Sequence, residues 1–178
     1  MTVKKIAIFG SAFNPPTKGH LSVVSRLTHF DEVWMMPSFA HAWGKSMAPF
    51  ELRCEWVRVF IEDSGLSNLV LRTDEQNFAK GGEAVTTYAV LSAFSAKFDD
   101  HEFTFVVGPD NFLNFSKFHR SDDILAKWSV LACPQTVDIR STYVRNAVLE
   151  GNNVSHWLTP GVEHCLEAVR DELSEIWK

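Results

Sequence analysis

Two short stretches, far apart in the chain, hold residues able to grip a phosphate. In the first, Thr17-Lys18-Gly19-His20, Thr17 lies three residues before His20, so both side chains can point at one ligand, while the direction of Lys18 is left open by its place between them. In the second, Ser141-Thr142-x-x-Arg145, two hydroxyls stand at a helix start and a guanidinium follows on the next turn, on the same side. An imidazole, a guanidinium and helix-start amides offer hydrogen bonds and positive charge to an anion. That is the equipment for stabilising charge during phosphoryl transfer. A capped helix with solvated arginines would read the same way, so each stretch gains meaning only if the two converge.

The elements around them make convergence expected. Ile6-Ala7-Ile8-Phe9 is a short apolar run that reads as a buried strand. It stops at Gly10, and Pro15 and Pro16 prevent the strand from continuing. Leu21, Val24 and Leu27 then recur at helical spacing. Further strands are predicted at 32–37, 69–73, 103–107 and 128–132, with helices over 50–61, 87–97 and 141–149. Short helical pieces are expected at 111–115 and 122–127, a polar loop at 74–83, and one long amphipathic helix from Thr159-Pro160 to Ile176. The alternation predicts an α/β, Rossmann-like doubly wound parallel sheet of about five strands with helices on both faces. The loops Gly10–His20, Ser38–Lys45, Gly108–Asp110 and Asp138–Arg145 would then meet at the carboxyl ends of the strands, where such sheets bind ligands.

With 178 residues the chain is expected to form one domain, 1–178, with a proper core. A formal net charge of −5 argues against a broad nucleic-acid binder, so any anion site must be local. The three cysteines, Cys54, Cys133 and Cys165, are widely spaced, form neither a metal pattern nor a disulfide framework, and read as small buried hydrophobes. With no signal peptide and no apolar run able to span a bilayer, a soluble cytoplasmic protein is expected.

Gly10-x-x-Phe13-Asn14-Pro15-Pro16-Thr17-x-Gly19-His20 after a first strand resembles the signature of the adenylyltransferases related to class I tRNA synthetases. Phe-Asn-Pro-Pro narrows this to the nicotinate or nicotinamide mononucleotide adenylyltransferases, and Ser141-Thr142-x-x-Arg145 is similar to their second signature. Between the two, Lys45 before Phe50 and Arg53, Thr87-Tyr88-x-Val90-Leu91, and Gly108-x-Asp110 resemble further family positions, so the likeness runs over most of Lys4–Leu149. It implies transfer of an adenylyl group from ATP to a pyridine mononucleotide, in NAD biosynthesis, with Mg²⁺ accompanying ATP and no protein metal site. By the same resemblance Gly10, Ser11, Phe13, Thr17, Gly19, His20, Ser141, Thr142 and Arg145 bind ATP, and His20, Arg145 and Lys18 are catalytic. Asn14, Lys45, Thr87, Asp110 and Phe118 bind the mononucleotide. Taken without the family, Lys45 is equally a solvated loop charge, Asp110 equally a helix cap, and Arg53 a surface or ion-pair residue.

The chain departs from that family at three places. Thr17 stands where the bacterial nicotinate enzymes usually have His, a change shared with phosphopantetheine adenylyltransferases. Thr86 and Phe118 stand where Tyr and Trp are frequent, which leaves nicotinate against nicotinamide open. Only Gln135-Thr136-Val137 joins Cys133-Pro134 to Asp138, so either a strand is missing or 136–139 takes its place. Two alternatives follow: a phosphopantetheine adenylyltransferase of coenzyme A biosynthesis, and a nucleotide-binding relative without turnover. No Gly-x-Gly-x-x-Gly follows the first strand, which argues against a dinucleotide-dependent oxidoreductase.

Overall fold

The computed structural model describes residues 2–40, 46–79 and 84–178. Its centre is a five-stranded, all-parallel sheet in the order β3-β2-β1-β4-β5, built from β1 (Lys4–Ser11), β2 (Glu32–Pro37), β3 (Leu69–Leu71), β4 (His101–Val107) and β5 (Ser129–Ala132). β1 lies between β2, with Ile8 opposite Trp34, and β4, with Ile8 opposite Phe105. From β1 the chain winds outward through β2 to β3, then returns to β4 and winds the other way to β5. The carboxyl ends of β1 and β4 are therefore the point where the winding reverses, and their loops must part there.

Strand alternation divides the apolar side chains between two cores, as a sheet covered on both faces requires. Ala7, Phe9, Val33, Met35 and Val106 face one side. They pack under α1 (Lys18–Val24), α2 (Phe50–Ser64), α7 (Ser141–Leu149), α8 (Pro160–Glu167) and α9 (Arg170–Ile176). Ile6, Ile8, Trp34, Met36, Phe103, Phe105 and Val107 face the other, under α4 (Thr87–Lys97), Phe115 of a 3₁₀ turn (Phe115–Lys117) and α6 (Ser121–Lys127). Each fully buried side chain of this size contributes about 1.5–3 kcal/mol.

The expected α/β architecture is the one observed, with local corrections. A short α3 (Glu75–Phe78) interrupts the expected polar loop, and α5 (Pro109–Leu113) begins earlier than predicted because Pro109 suits a first helical position. The long terminal helix is two: α8 ends at Glu167, capped by Ala168, and Val169, at φ −123°, turns the chain before α9. Residues 136–139 form no strand. The helix at 141 is capped by Arg140, not Ser141, so Ser141 and Thr142 are its first two helical residues.

Candidate active site

A cavity of about 260 Å³ opens where the winding reverses. Its floor is Phe9, Gly10 and Ser11 at the end of β1; one wall is Gly108–Asn111 after β4; the other is Gly19, His20 and Val23 of α1 with Gln135, Ile139, Arg140 and Ser141. Gly10, Ser11, Gly19, His20, Asp110 and Ser141 are thereby brought together as expected.

His20 is held by the start of its own helix. Thr17 caps α1: its Oγ1 accepts the Gly19 N–H, and the Thr17 N–H donates to His20 Nδ1 at 2.9 Å, closing a capping box in which histidine replaces the usual acid. The Thr17 hydroxyl also lies 3.2 Å from Nδ1. An Nδ1 that accepts a backbone N–H carries no proton, so the neutral ring holds its proton on Nε2. That edge lies 3.4 Å from Ser11 Oγ, at the cavity floor. Burial lowers the His20 pKa from 6.5 to about 4, so the ring is a neutral donor at pH 7. The ring also packs on Phe13, centroids 5.0 Å apart, and Phe13 adopts a left-handed φ of +48° with its side chain fully buried.

The structure assigns several expected ligand residues a different task. Phe13 and Thr17 are completely buried, so their side chains support the site from beneath rather than meet a ligand. The open amides expected at the start of α1 are taken: Lys18 N–H donates to Trp157 O, and Thr17 Oγ1 receives the next two. The Lys18 side chain lines neither this cavity nor the next. Asn14 is buried with its Oδ1 accepting the Ala48 N–H. Thr87 opens α4 and Phe118 packs against Phe105 and Phe115; neither lines the cavity. Lys45 lies outside the described residues.

The start of α7 docks directly on the β1 loop. Ser141 Oγ donates to Pro15 O at 2.8 Å, and Arg145 Nη1 donates to Asn14 O at 3.0 Å, with Nη2 3.1 Å from Thr142 Oγ1. Gly19 makes the approach feasible, since a Cβ there would stand 2.2 Å from the Ile139 carbonyl oxygen. Among the described residues the Ser141 and Thr142 amides have no protein acceptor, so α7 keeps the open donors that α1 has spent. Arg145 therefore flanks the same loop as His20 but lines an adjoining cavity of about 300 Å³, with Ala12, Asn14, Ser46 and Met47.

Sequence reasoning missed three participants. Gln135 donates to Ile139 O at 2.9 Å and shapes the wall. Arg140 spans the cavity mouth to Asp110 at 2.7 Å, an exposed pair that costs little to open. Arg53, expected at the surface, is 1 % exposed. It donates to Ala48 O, Ala12 O, Ser38 O and Phe39 O, so one cation joins the loops after β1 and β2 to the start of α2. Only its place on an otherwise apolar helical stripe with Phe50 and Val57 hinted at burial. Glu75 accepts the Phe39 N–H at 2.8 Å, and burial raises its pKa from 4.5 to about 7.

The cavity thus offers a neutral imidazole donor, hydroxyls, open amides, and the paired Arg140 guanidinium and Asp110 carboxylate, a set suited to a nucleotide's phosphates and sugar. Among the described residues no three His, Cys, Asp or Glu gather to hold a metal ion, and no helix is long and apolar enough to cross a membrane.

The family model described as cytidylyltransferase-like matches residues 8–147, a span that includes both docked segments. A protein of Anaeromyxobacter sp. (strain K), named as a probable nicotinate-nucleotide adenylyltransferase, is 30% identical over 165 residues, covering 85% of this chain and 87% of its own. One of Clostridium acetobutylicum with the same name is 33% identical over 153 residues, covering 83% of this chain and 72% of its own. A crystal structure from Vibrio parahaemolyticus, described as a putative nicotinate-nucleotide adenylyltransferase, superposes with a TM-score of 0.86 at 43% identity, covering 97% of this chain and 96% of that one. The Plasmodium falciparum nicotinic acid mononucleotide adenylyltransferase complexed with NaAD shares the fold, with a TM-score of 0.76 at 19% identity over 94% of this chain and 98% of that one. With the reversal-point cavity, the docked α7 start and these likenesses together, the chain belongs to the cytidylyltransferase-like nucleotidyltransferases, within the nicotinate-nucleotide adenylyltransferase family.

Proposed function

We propose that this chain transfers the adenylyl group of ATP to nicotinate mononucleotide, releasing pyrophosphate, as a cytoplasmic step of NAD biosynthesis. The observation that carries the reading is His20, whose Nε2–H is locked toward the floor of the reversal-point cavity by the Thr17 backbone. A mononucleotide phosphate oxygen attacks the α-phosphorus in line; the new P–O bond forms as the bond to the β-phosphate oxygen breaks, and its electron pair leaves with pyrophosphate. A phosphate is already an anion, so no side chain must take a proton from it. Catalysis is positioning and charge stabilisation. His20 Nε2–H and the Ser141 and Thr142 amides donate to ATP phosphate oxygens, with Arg145 adding charge from beyond the loop. Gly10 and Gly19 let backbone come close, and Phe13, Thr17 and Asn14 hold the loop in shape. Asp110, once Arg140 lets go, is free to accept from a ribose hydroxyl. Lys45, Thr87 and Phe118 remain assigned to the mononucleotide by resemblance alone, and Lys18 to catalysis likewise. Magnesium belongs to the ATP complex, held by phosphate oxygens and water.

The test is a pyrophosphate-release assay with ATP against nicotinate mononucleotide, nicotinamide mononucleotide and phosphopantetheine. The highest kcat/KM is expected with nicotinate mononucleotide. A preference for phosphopantetheine, or ATP binding without release on any acceptor, would overturn the reading. The short Pro134–Asp138 join, which supported a turnover-free relative, contributes Gln135 to the cavity wall, with Ile139 just after it.

A further inference from the structure

The exit of β5 delivers an oriented amide to the reversal-point cavity. Cys133 continues the sheet past Ala132, with its side chain in the core and its N–H donating to Val107 O at 2.9 Å. Pro134 offers no donor for a further ladder bond, and the next residue, Gln135, lines the cavity. Its side chain is held at one end. Nε2 donates to Ile139 O at 2.9 Å and lies 3.3 Å from where a Cβ on Gly19 would stand, so the nitrogen is packed against α1. A carbonyl oxygen only accepts, so this bond decides which end of the amide is nitrogen. Oε1 is turned away from Ile139 and α1. Among the described residues it meets no donor, and it is not one of the unpartnered atoms sealed from solvent. It is an acceptor of fixed direction, open to a ligand.

The surroundings limit what that ligand is. Phosphates belong at the donor end of the cavity, where His20 Nε2 and the start of α7 stand. An amide oxygen repels them. Val23 lies one turn of α1 beyond Gly19, on the same face, and with Ile139 it makes the wall beside Gln135 apolar. An apolar wall carrying one oriented acceptor suits the face and the edge of a heterocyclic base. Asn111, across the cavity, makes no side-chain hydrogen bond among the described residues, so its amide can present either end and discriminates nothing.

We infer that Gln135 reads the base of the nucleoside triphosphate: Oε1 accepts from the exocyclic amine of a 6-aminopurine and disfavours a 6-oxopurine, whose oxygen brings no proton to that place. The inference rests on the adenylyltransferase reading for putting the triphosphate in this cavity.

The experiment measures kcat/KM for ATP and for inosine triphosphate, which carries an oxygen in place of the 6-amine, with nicotinate mononucleotide as acceptor. Calorimetric binding of both triphosphates runs alongside. The wild-type chain is expected to prefer ATP about tenfold. Gln135→Met keeps the length of the side chain and removes the acceptor; it is expected to lose about five- to tenfold on ATP and little on inosine triphosphate, so the preference nearly vanishes. Gln135→Glu keeps an oxygen acceptor while giving up the N–H to Ile139, and is expected to retain the preference. A residue that only supported the wall would slow both triphosphates alike and leave their ratio unmoved. Equal use of the two triphosphates by the wild-type chain, or a wild-type ratio in Gln135→Met, would overturn the inference and leave the activity standing. An ATP preference in binding that Gln135→Met loses, in a chain that releases no pyrophosphate with any acceptor, would refute the activity and leave the inference standing. Binding of neither triphosphate would refute both.

Discussion

Gly19→Ala tests whether the site depends on α7 docking against α1. An alanine Cβ there would lie 2.2 Å from the Ile139 carbonyl oxygen and 3.2 Å from Thr17 Oγ1. A carbon and a carbonyl oxygen settle at about 3.3 Å, so the 135–139 segment must retreat by about 1 Å. The opposing atom is backbone, so no side-chain rotation relieves it. The retreat carries Arg140 and Ser141 with it and stretches the 2.8 Å bond from Ser141 to Pro15. Overpacking of this kind costs about 1–3 kcal/mol, and 2 kcal/mol in a chain of this size lowers Tm by about 4–8 °C. Misplacing catalytic groups by about 1 Å costs about a hundredfold in rate. Pyrophosphate release with ATP and nicotinate mononucleotide, beside a calorimetric melt, reads both. Gly161→Ala is the control: its Cβ would meet Val59 Cγ1 at 2.4 Å and the Asp63 carboxylate at 2.8 Å, away from either cavity. It is expected to lower Tm while leaving kcat/KM intact. A Gly19→Ala chain with wild-type kcat/KM would refute the dependence of catalysis on this contact.

His20→Ala is expected to lower kcat about a hundredfold, the usual loss for one oriented donor, in a chain whose circular dichroism is unchanged. Arg53→Lys is expected to lower Tm strongly, since one ammonium cannot serve the carbonyls of Ala12, Ala48, Ser38 and Phe39 together, and buried acceptors left unmet cost about 1–3 kcal/mol each. Two ionisations oppose each other in the pH dependence of Tm. The native Glu75 carboxyl, with its pKa raised to about 7, keeps a proton that the unfolded chain loses above 4.5, so its contribution falls as pH rises from 4.5 to 7. Native His20, with its pKa lowered to about 4, stays neutral where the unfolded ring protonates, so its contribution is complete above 6.5 and is lost as pH falls toward 4. Glu75→Gln keeps an acceptor for Phe39 and removes the charge; relative to wild type it should raise Tm at pH 8 and make Tm climb more steeply with pH between 4.5 and 6.5. A Glu75→Gln melt parallel to wild type across that range would contradict the assignment.

Much of this protein is legible in local pattern. Apolar runs locate all five strands, four of them ended by glycine or proline and β3 by the polar Arg72-Thr73-Asp74, because a strand covered on both faces is apolar throughout and its exits are not. The spacing of Thr17 and His20, and of Ser141 and Arg145, marks both docked segments, because three- and four-residue intervals share a helix face whatever the surroundings. Partners distant in sequence leave no such trace. The apolar stripe around Arg53 hints at burial but not at the four carbonyls that receive it, and nothing near Thr17 shows that the first amides of its helix will go to Trp157 O and the Thr17 hydroxyl. That a reversal of winding opens a cavity between β1 and β4, that Pro15 accepts from Ser141, and that Trp177 and Lys178 line the adjoining cavity beside Arg145 were decided only by the tertiary fold. Each depends on which strands lie side by side, a choice made by the packing of two whole cores rather than by any window of residues.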